Sequence, residues 1–389
     1  MMDSFSRFLE DAEHHSLRRY LRELQSPCQE TIQIDGKPHL LFASNDYLGL
    51  ANHPAVKRAA IAGIEQWGVG SGASRLISGT SFPHLALEQD LAAFKGTEAA
   101  LTFGSGYLTN VGCLPSLIGP GGLIMADELC HASLLDGCRL TRADVKVFHH
   151  NDPAHLQQLL GKRTSARQTL ILTEGVFSMD GDIAPIPDLL KAAHQYDAQL
   201  LIDDAHGTGV MGKNGRGTLE HFNLSPDTVF QMGTLSKALG VSGGYMAGTT
   251  SFTHYLVNTA RSFIFTTAPP PAIACAGREA LKILQQEPER RTRLWENRKS
   301  MHDGLLALGF TLTNSGSPIL PVIIPNAQQA LDFSQHLMEA GILIPAIRPP
   351  TVPKDSSRLR ITVTSEHTPE HIAKVIRIFK TVGEKMRVI

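Results

Sequence analysis

The feature that most restricts the fold is a series of short apolar runs. They occupy residues 99–103, 123–126, 145–148, 169–173, 200–202, 229–232 and 244–247. Helix-length amphipathic stretches, such as 153–160 and 187–196, lie between most of them. Apolar runs with no polar alternation are buried on both faces. Their alternation with helices is the pattern of βα units around a mainly parallel sheet. Seven such runs predict one large α/β domain over residues 51–270.

The flanks read differently. Phe5, Phe8, Leu9, Ala12, Leu17, Tyr20, Leu21 and Leu24 fall near one helical stripe, which predicts a helix continuing to Leu24. Alternation in 31–34, the turn pair Asp35-Gly36 and the return from His39 predict a hairpin. Together these form an N-terminal segment, 1–50. Pro54 suits the start of a helix running to about Trp67. After Pro269-Pro270-Pro271 a helical region covers 272–308, interrupted near Pro288. Short runs at 319–324, 342–344 and 359–363, with helices at 327–340 and from Pro369, predict linking helices and a smaller α+β domain over 271–389.

With 42% hydrophobic and 19% charged residues, 389 residues can bury a large core and are not expected to be disordered. A net charge of -1 gives no long-range attraction to nucleic acid or to an anionic membrane. No apolar run approaches the roughly 18 residues of a membrane span. The opening MMDSFSRFLEDAEHH is too acidic and polar for a secretory or transit signal, so a cytoplasmic protein is expected. The five cysteines form no C-x-x-C pair, so neither a disulfide framework nor a metal site is expected.

Four segments carry chemistry. In Leu200-Leu201-Ile202-Asp203-Asp204-Ala205-His206 an apolar strand ends in an acid, and ligands gather at the carboxyl ends of parallel strands. An Asp there can hold a cationic nitrogen protonated, and His206 can approach the same ligand. The competing reading is that Asp203 or Asp204 caps the next element. In Gly233-Thr234-Leu235-Ser236-Lys237 a lysine follows a strand amid hydroxyls. Such a lysine can form a Schiff base, and Thr234 and Ser236 can donate to phosphate; it can equally be a solvated turn residue. From Phe103 to Asn110 a strand enters a Gly-rich turn that opens a helix, where free N–H groups favour a phosphate. His131 follows the second apolar run, and its flat ring can stack on a planar cofactor, though a lone histidine is more often structural.

One signal competes. Gly207-Thr208-Gly209-Val210-Met211-Gly212 matches G-x-G-x-x-G, with Asp227 about 20 residues on. The residues after it, Lys213-Asn214-Gly215-Arg216-Gly217, read as a loop rather than a helix, and Asp227 precedes its strand. The dinucleotide reading is therefore weak. A strand-end Asp, a lysine in a hydroxyl-rich turn, a Gly-rich helix start and a stacking histidine together suit pyridoxal 5'-phosphate.

On these residues the chain resembles the α-oxoamine synthases, a family of fold-type I pyridoxal-phosphate enzymes. The likeness spans nearly the whole chain. It is carried by Ser44-Asn45-Asp46-Tyr47-Leu48-Gly49-Leu50, Gly70-Ser71-Gly72, Glu174-Gly175-Val176-Phe177-Ser178-Met179-Asp180-Gly181 and the stretches around Asp203 and Lys237. The family joins an amino acid to an acyl thioester with loss of CO2. The resemblance implies that Lys237 carries the cofactor as an imine and later takes the substrate α-proton. It implies that Asp203 pairs with the pyridine nitrogen and that His131 stacks on the ring and meets the product keto oxygen. Ser178 and His206 would contact the ring hydroxyl, Gly106 and Tyr107 would lie along the cofactor, and Thr234 would approach its phosphate.

Phe265-Thr266-Thr267 matches a segment that reaches the neighbouring subunit's phosphate, which implies a homodimer with shared sites. Ala268-Pro269 depart from the usual pattern there. Arg360 and Asn45 match carboxylate-side positions, and Arg18 matches a substrate arginine, with Arg19 and Arg22 close by. Arg75 is given no role. The segment Ala346-Ile347-Arg348-Pro349-Pro350-Thr351-Val352-Pro353 resembles the family member that condenses L-alanine with a pimeloyl thioester in biotin synthesis. There Thr351 would face the acyl chain, between Pro349-Pro350 and Pro353, which imply an extended path. The thioester carrier would be coenzyme A or an acyl carrier protein. The alternative is a relative such as a glycine C-acetyltransferase.

Overall fold

A computed structural model describes residues 2–14, 17–163 and 168–389. The hairpin forms as expected. β1 (Thr31–Ile34) and β2 (Lys37–Leu41) pair with Ile34 opposite Lys37. Asp35 and Gly36 both take positive φ, 49° and 70°, which is the two-residue turn that matches strand twist.

The seven apolar runs become β3 (Ala99–Phe103), β4 (Leu123–Asp127), β5 (Asp144–Phe148), β6 (Thr169–Glu174), β7 (Gln199–Asp203), β8 (Phe230–Thr234) and β9 (Gly244–Gly248). They form one sheet in the order β3-β9-β8-β7-β6-β4-β5. β5, β4, β6, β7 and β8 are parallel, and β9 alone runs against both its neighbours.

Why the runs lack polar alternation is visible in where their side chains go. Ile124, Ala126, Leu170, Leu172 and Leu201 point to one face and pack on the helices Gly106–Leu117 and Ala132–Thr141 through Leu114, Leu134 and Cys138. Leu123, Met125, Ile171, Leu200 and Ile202 point to the other and pack on Pro153–Gly161 and Ile186–Gln195 through Leu156, Leu160 and Leu189. Successive strand residues alternate faces, so a strand covered on both sides needs apolar residues at every position. Each fully buried aliphatic side chain contributes about 1.5–3 kcal/mol.

The C-terminal region holds β10 (Ile319–Ile323), β11 (Ile342–Leu343), β12 (Ala346–Ile347) and β13 (Arg358–Thr362). β13 lies between β10 and β12 in an antiparallel sheet. β11 pairs in parallel with β2, so the N-terminal hairpin is completed by a strand from the other end of the chain. The helices Glu289–Ala307, Ala327–Glu339 and Pro369–Lys385 belong to this region, while Pro271–Gln286 packs on Pro54–Trp67 and Phe82–Lys95. One buried cluster runs from Phe42 and Leu48 through Leu235, Leu239 and Leu284 to Phe333 and Phe379, which ties the lysine-bearing turn to the C-terminal core.

The N-terminal helix departs from expectation. It covers only Met2–His14, and residues 17–24 are not helical. The N–H groups of Leu17 and Arg18 both turn back onto the Ala12 carbonyl, which ends the helix. Among the described residues the apolar stripe is left uncovered: Phe5 is 65% and Phe8 71% exposed. A helical period is a permission to pack, and short helices without tertiary packing are marginal. Among the described residues no helix is long and apolar enough to cross a membrane.

Candidate active site

The carboxyl ends of β4, β6, β7 and β8 open on one cleft of about 190 Å³. Asp203 ends β7 and is buried. Its Oδ2 accepts from Asn110 Nδ2 at 2.8 Å and its Oδ1 from the Ala205 N–H at 3.1 Å. Asp204 turns to the opposite side, into an ion pair with Lys95 at 3.4 Å and a hydrogen bond from the Thr218 hydroxyl at 2.8 Å. Strand alternation separates the two acids: Asp203 lines the cleft and Asp204 binds the loop that follows.

Lys237 lies across the cleft in the turn after β8. Burial lowers its pKa against the pull of Asp203 and Glu174, and the Arg360 charge adds to the lowering. His131 caps the helix Ala132–Thr141, with Nδ1 2.8 Å from Ser133 Oγ. Burial lowers its pKa, with Asp203 opposing and Lys237 assisting. His206 is buried and held neutral, well below its usual pKa, by burial and by the charges of Lys237 and Arg360. The Tyr47 hydroxyl is 2.7 Å from His206 Nδ1, while its separation from Asn45 is 3.5 Å. Burial lifts the Tyr47 pKa to about 12. The protonated Tyr47 hydroxyl can donate either to Nδ1 or to Asn45 Oδ1; donation to Nδ1 leaves His206 Nε2–H as the free donor.

The helix Gly106–Leu117 begins at the cleft, with Ser105 Oγ accepting from the Leu108 N–H. The first-turn N–H groups of Gly106 and Tyr107 have no helical carbonyl to bond. A Cβ on Gly106 would sit 3.1 Å from Met232 Cε, and one on Gly244 would sit 2.7 Å from the Gly106 backbone. Two glycines thus let the helix start press against β8 and β9. Thr234 donates to the Gly243 carbonyl at 2.8 Å, so in its 2.7 Å contact with the exposed Ser236 the Ser236 hydroxyl is the donor. Tyr107 reaches outward to Asp136 at 2.6 Å.

On the adjoining wall Arg360, in β13, donates through Nε to the Ser178 carbonyl at 2.6 Å and through Nη2 to Asn45 Oδ1 at 3.2 Å. Its remaining N–H groups are available for a carboxylate. Three expected residues lie elsewhere. Thr267 is exposed and bridged to Ser74. Arg18 pairs with Glu13 at 3.4 Å, and its carbonyl meets Arg348 at 3.4 Å. Thr351 is exposed, and its N–H bonds the Arg348 carbonyl at 3.1 Å. The proline-rich segment therefore closes a turn at 348–351 where an extended path was expected, because this N–H finds its carbonyl locally.

Arg75 has a structural partner: two parallel bonds to Glu88, at 2.9 and 3.0 Å, in a buried position. Residues 207–217 are turns, followed only by the short helix Thr218–His221, so no helix dipole faces the G-x-G-x-x-G glycines. Sequence reading gave no role to Tyr47, Asn110, Ser133 or Glu174, all of which meet the site. Asn110 stands one helical turn after Gly106, and Glu174 ends an apolar strand just as Asp203 does. Those two positions were the available signals.

The cleft suits pyridoxal phosphate. Asn110 Oδ1 and Glu174 Oε1 are buried without any partner, at the wall where a ring with polar substituents would lie. A lysine faces an aspartate, and a helix start stands ready for a phosphate.

Residues 37–379 match the family described as aminotransferase class I and II. An 8-amino-7-oxononanoate synthase of Thermoanaerobacter pseudethanolicus is 44% identical over 389 residues, covering 100% of this chain and 98% of the relative. Serine palmitoyltransferase from S. paucimobilis, solved with PLP and myriocin bound, superposes with a TM-score of 0.95 at 32% identity, covering 100% of this chain and 98% of that one. The structure of 8-amino-7-oxononanoate synthase from Francisella tularensis gives a TM-score of 0.78 at 30% identity over 90% of this chain and 99% of that one. The chain belongs to the class I and II aminotransferase family and, within it, to the family of 8-amino-7-oxononanoate synthases.

Proposed function

We propose that this protein is a pyridoxal-phosphate acyltransferase that condenses L-alanine with a pimeloyl thioester to 8-amino-7-oxononanoate, CO2 and the free thiol carrier, a step of biotin synthesis. The observation that carries the reading is the convergence of Lys237, Asp203 and His131 on one cleft, with the Arg360 charge acting on Lys237, in a chain 44% identical to synthases of that name. The cofactor, when bound, supplies an aldehyde for an amine and a ring that accepts electrons from the substrate α-carbon.

Each residue's role follows from its surroundings. The lowered pKa of Lys237 makes its Nζ easier to deprotonate, and the freed amine would attach to the cofactor and take the α-proton of alanine. Asp203, held by Asn110 and the Ala205 N–H, would face the ring nitrogen and keep a proton on it. His131 presents its ring from the cap of its helix, and its Nε2 serves the keto oxygen. His206 donates through Nε2 toward the ring oxygen beside Ser178. Gly106 and Tyr107 offer backbone N–H groups, and Thr234 with Ser236 lines the phosphate end. Arg360 and Asn45 receive the alanine carboxylate.

Exposed Val69, Ile77, Phe82 and Phe265, near exposed Thr267, support a second copy covering this face, with Thr267 reaching the partner's phosphate. Arg18 and Thr351 would meet the pimeloyl chain, delivered on coenzyme A or an acyl carrier protein to a cytoplasmic homodimer.

The test pairs alanine, glycine and serine with pimeloyl, acetyl and succinyl thioesters. The highest specificity constant is expected for alanine with pimeloyl thioester. Glycine should follow closely, since one methyl is worth only about 1–3 kcal/mol. A higher value for glycine with an acetyl thioester would replace this reading with a glycine C-acetyltransferase.

A further inference from the structure

Glu174 ends β6 beside Asp203 at the end of β7, and the two are register partners in the parallel ladder. Neighbouring strands lie about 4.8 Å apart. Both side chains are buried, at 3% and 5% exposed, and both line the cleft. Two carboxylates so placed do not both ionise cheaply, and their surroundings decide which keeps a proton.

Those surroundings differ. Asp203 accepts from the Asn110 amide and the Ala205 N–H. Glu174 accepts from the His131 N–H, and its Oε1 has no partner. A bare buried oxygen costs about 1–3 kcal/mol, so a native site would not leave it bare with its ligand in place. The groups around Glu174 are Asp203 on β7 and Asp127 on β4, which repel its charge, Lys237, which attracts it, and Cys130 and His131 in the loop after β4. Burial first, then Asp203, lifts its carboxyl well above the usual range, against Lys237 and the His131 N–H.

We propose that Glu174 is an additional cofactor-binding residue: it carries a proton and presents Oε1–H as a hydrogen-bond donor to an acceptor oxygen of the bound cofactor, while Asp203 faces the ring nitrogen. This rests on the reading that the cleft holds pyridoxal phosphate. A neutral acid keeps the net charge of the cleft low while Asp203 faces the ring nitrogen.

The test uses the loaded protein and its Glu174→Gln and Glu174→Ala variants. Infrared difference spectra of wild type against Glu174→Gln should contain a protonated-carboxyl C=O band that moves in D2O. The pH midpoint of the lysine-linked cofactor absorbance should stay within about 0.3 unit in Glu174→Gln, because an amide replaces a neutral acid without a change of charge. Glu174→Ala should weaken cofactor retention about tenfold in reconstitution of the apoprotein, and Glu174→Gln should keep most of it. Three results overturn the proposal: a midpoint lowered by about one unit or more in Glu174→Gln, which would show that a negative charge had been removed; no protonated-carboxyl band; or wild-type retention in Glu174→Ala. Should Glu174→Ala not fold, the Gln variant still decides the matter. A wild-type protein without the lysine-linked absorbance would instead remove the cofactor reading, and this proposal with it.

Discussion

His206 and His150 stand at the same edge of one sheet, after β7 and β5, yet they are built for opposite charge states. His206 has no carboxylate partner: Tyr47 bonds its Nδ1, and Lys237 and Arg360 add positive charge around it. It is held neutral. His150 bridges Asp127 Oδ1 at 2.9 Å and Asp182 Oδ2 at 2.7 Å. Burial works against its charge, but the two carboxylates outweigh burial and lift its pKa to about 10. Burial is thus common to both, and the partner decides the sign. The cleft keeps imidazoles as neutral donors, while the outer position uses one as a fixed cation. That cation ties the end of β4 to the loop that carries the Ser178 carbonyl under Arg360.

The same contrast holds for the neighbouring acids, and there the largest effect is expected. Asp203→Asn removes the anion facing the cleft. Its kcat should fall about a thousandfold or more, near 4 kcal/mol at ~1.4 kcal/mol per tenfold, with the fold retained. Asp204→Asn leaves Lys95 buried without its counter-charge and should cost about 3–5 kcal/mol of stability. Its activity per folded molecule should stay within about tenfold. Steady-state kinetics and denaturant titration of both variants check this. A more damaging effect of Asp204→Asn on turnover per folded molecule would reverse the assignment.

His150→Gln probes the fixed cation. The folded pKa of about 10 exceeds the unfolded value near 6.5. The stabilisation is therefore fully present below about pH 6.5 and is lost as pH rises through about 10. The variant should be less stable by roughly 2 kcal/mol at pH 6, after allowance for partial exposure. That gap should shrink toward zero above pH 10. A gap that widens with pH would mean that His150 is neutral in the folded protein.

The smallest effects belong to the rim. Arg18→Ala and Thr351→Ala alter a half-buried and an exposed position, so each should raise KM for the acyl thioester by no more than about tenfold, or ~1.4 kcal/mol. Cofactor absorbance should not change. A larger loss in kcat would place either residue at the reacting atoms.

What the sequence disclosed follows the same division between local and distant causes. The seven strands and the Asp35-Gly36 turn are local patterns, and they were legible. So were Asp203, His131 and Lys237, because each stands at a strand end where ligands gather. Glu174 obeys the same rule and was passed over for want of a second signal beside it. The Tyr47–His206 bond joins residues 159 positions apart, and no periodicity reports such a meeting. The N-terminal stripe misled because a helical period records which residues could pack together. It does not record whether anything lies opposite, and here the described residues leave Phe5 and Phe8 exposed.

The central claim is that Lys237, half-buried at the cleft with Asp203, and not Lys95, buried beside Asp204, is the lysine that holds the cofactor. The other, Lys95, is engaged by Asp204 and the Arg216 carbonyl. Borohydride reduction of the pyridoxal-phosphate-loaded protein, followed by proteolysis and mass spectrometry, tests this directly. A single pyridoxyl group on Lys237 is the predicted result. Modification of Lys95, or of no lysine at all, would contradict it.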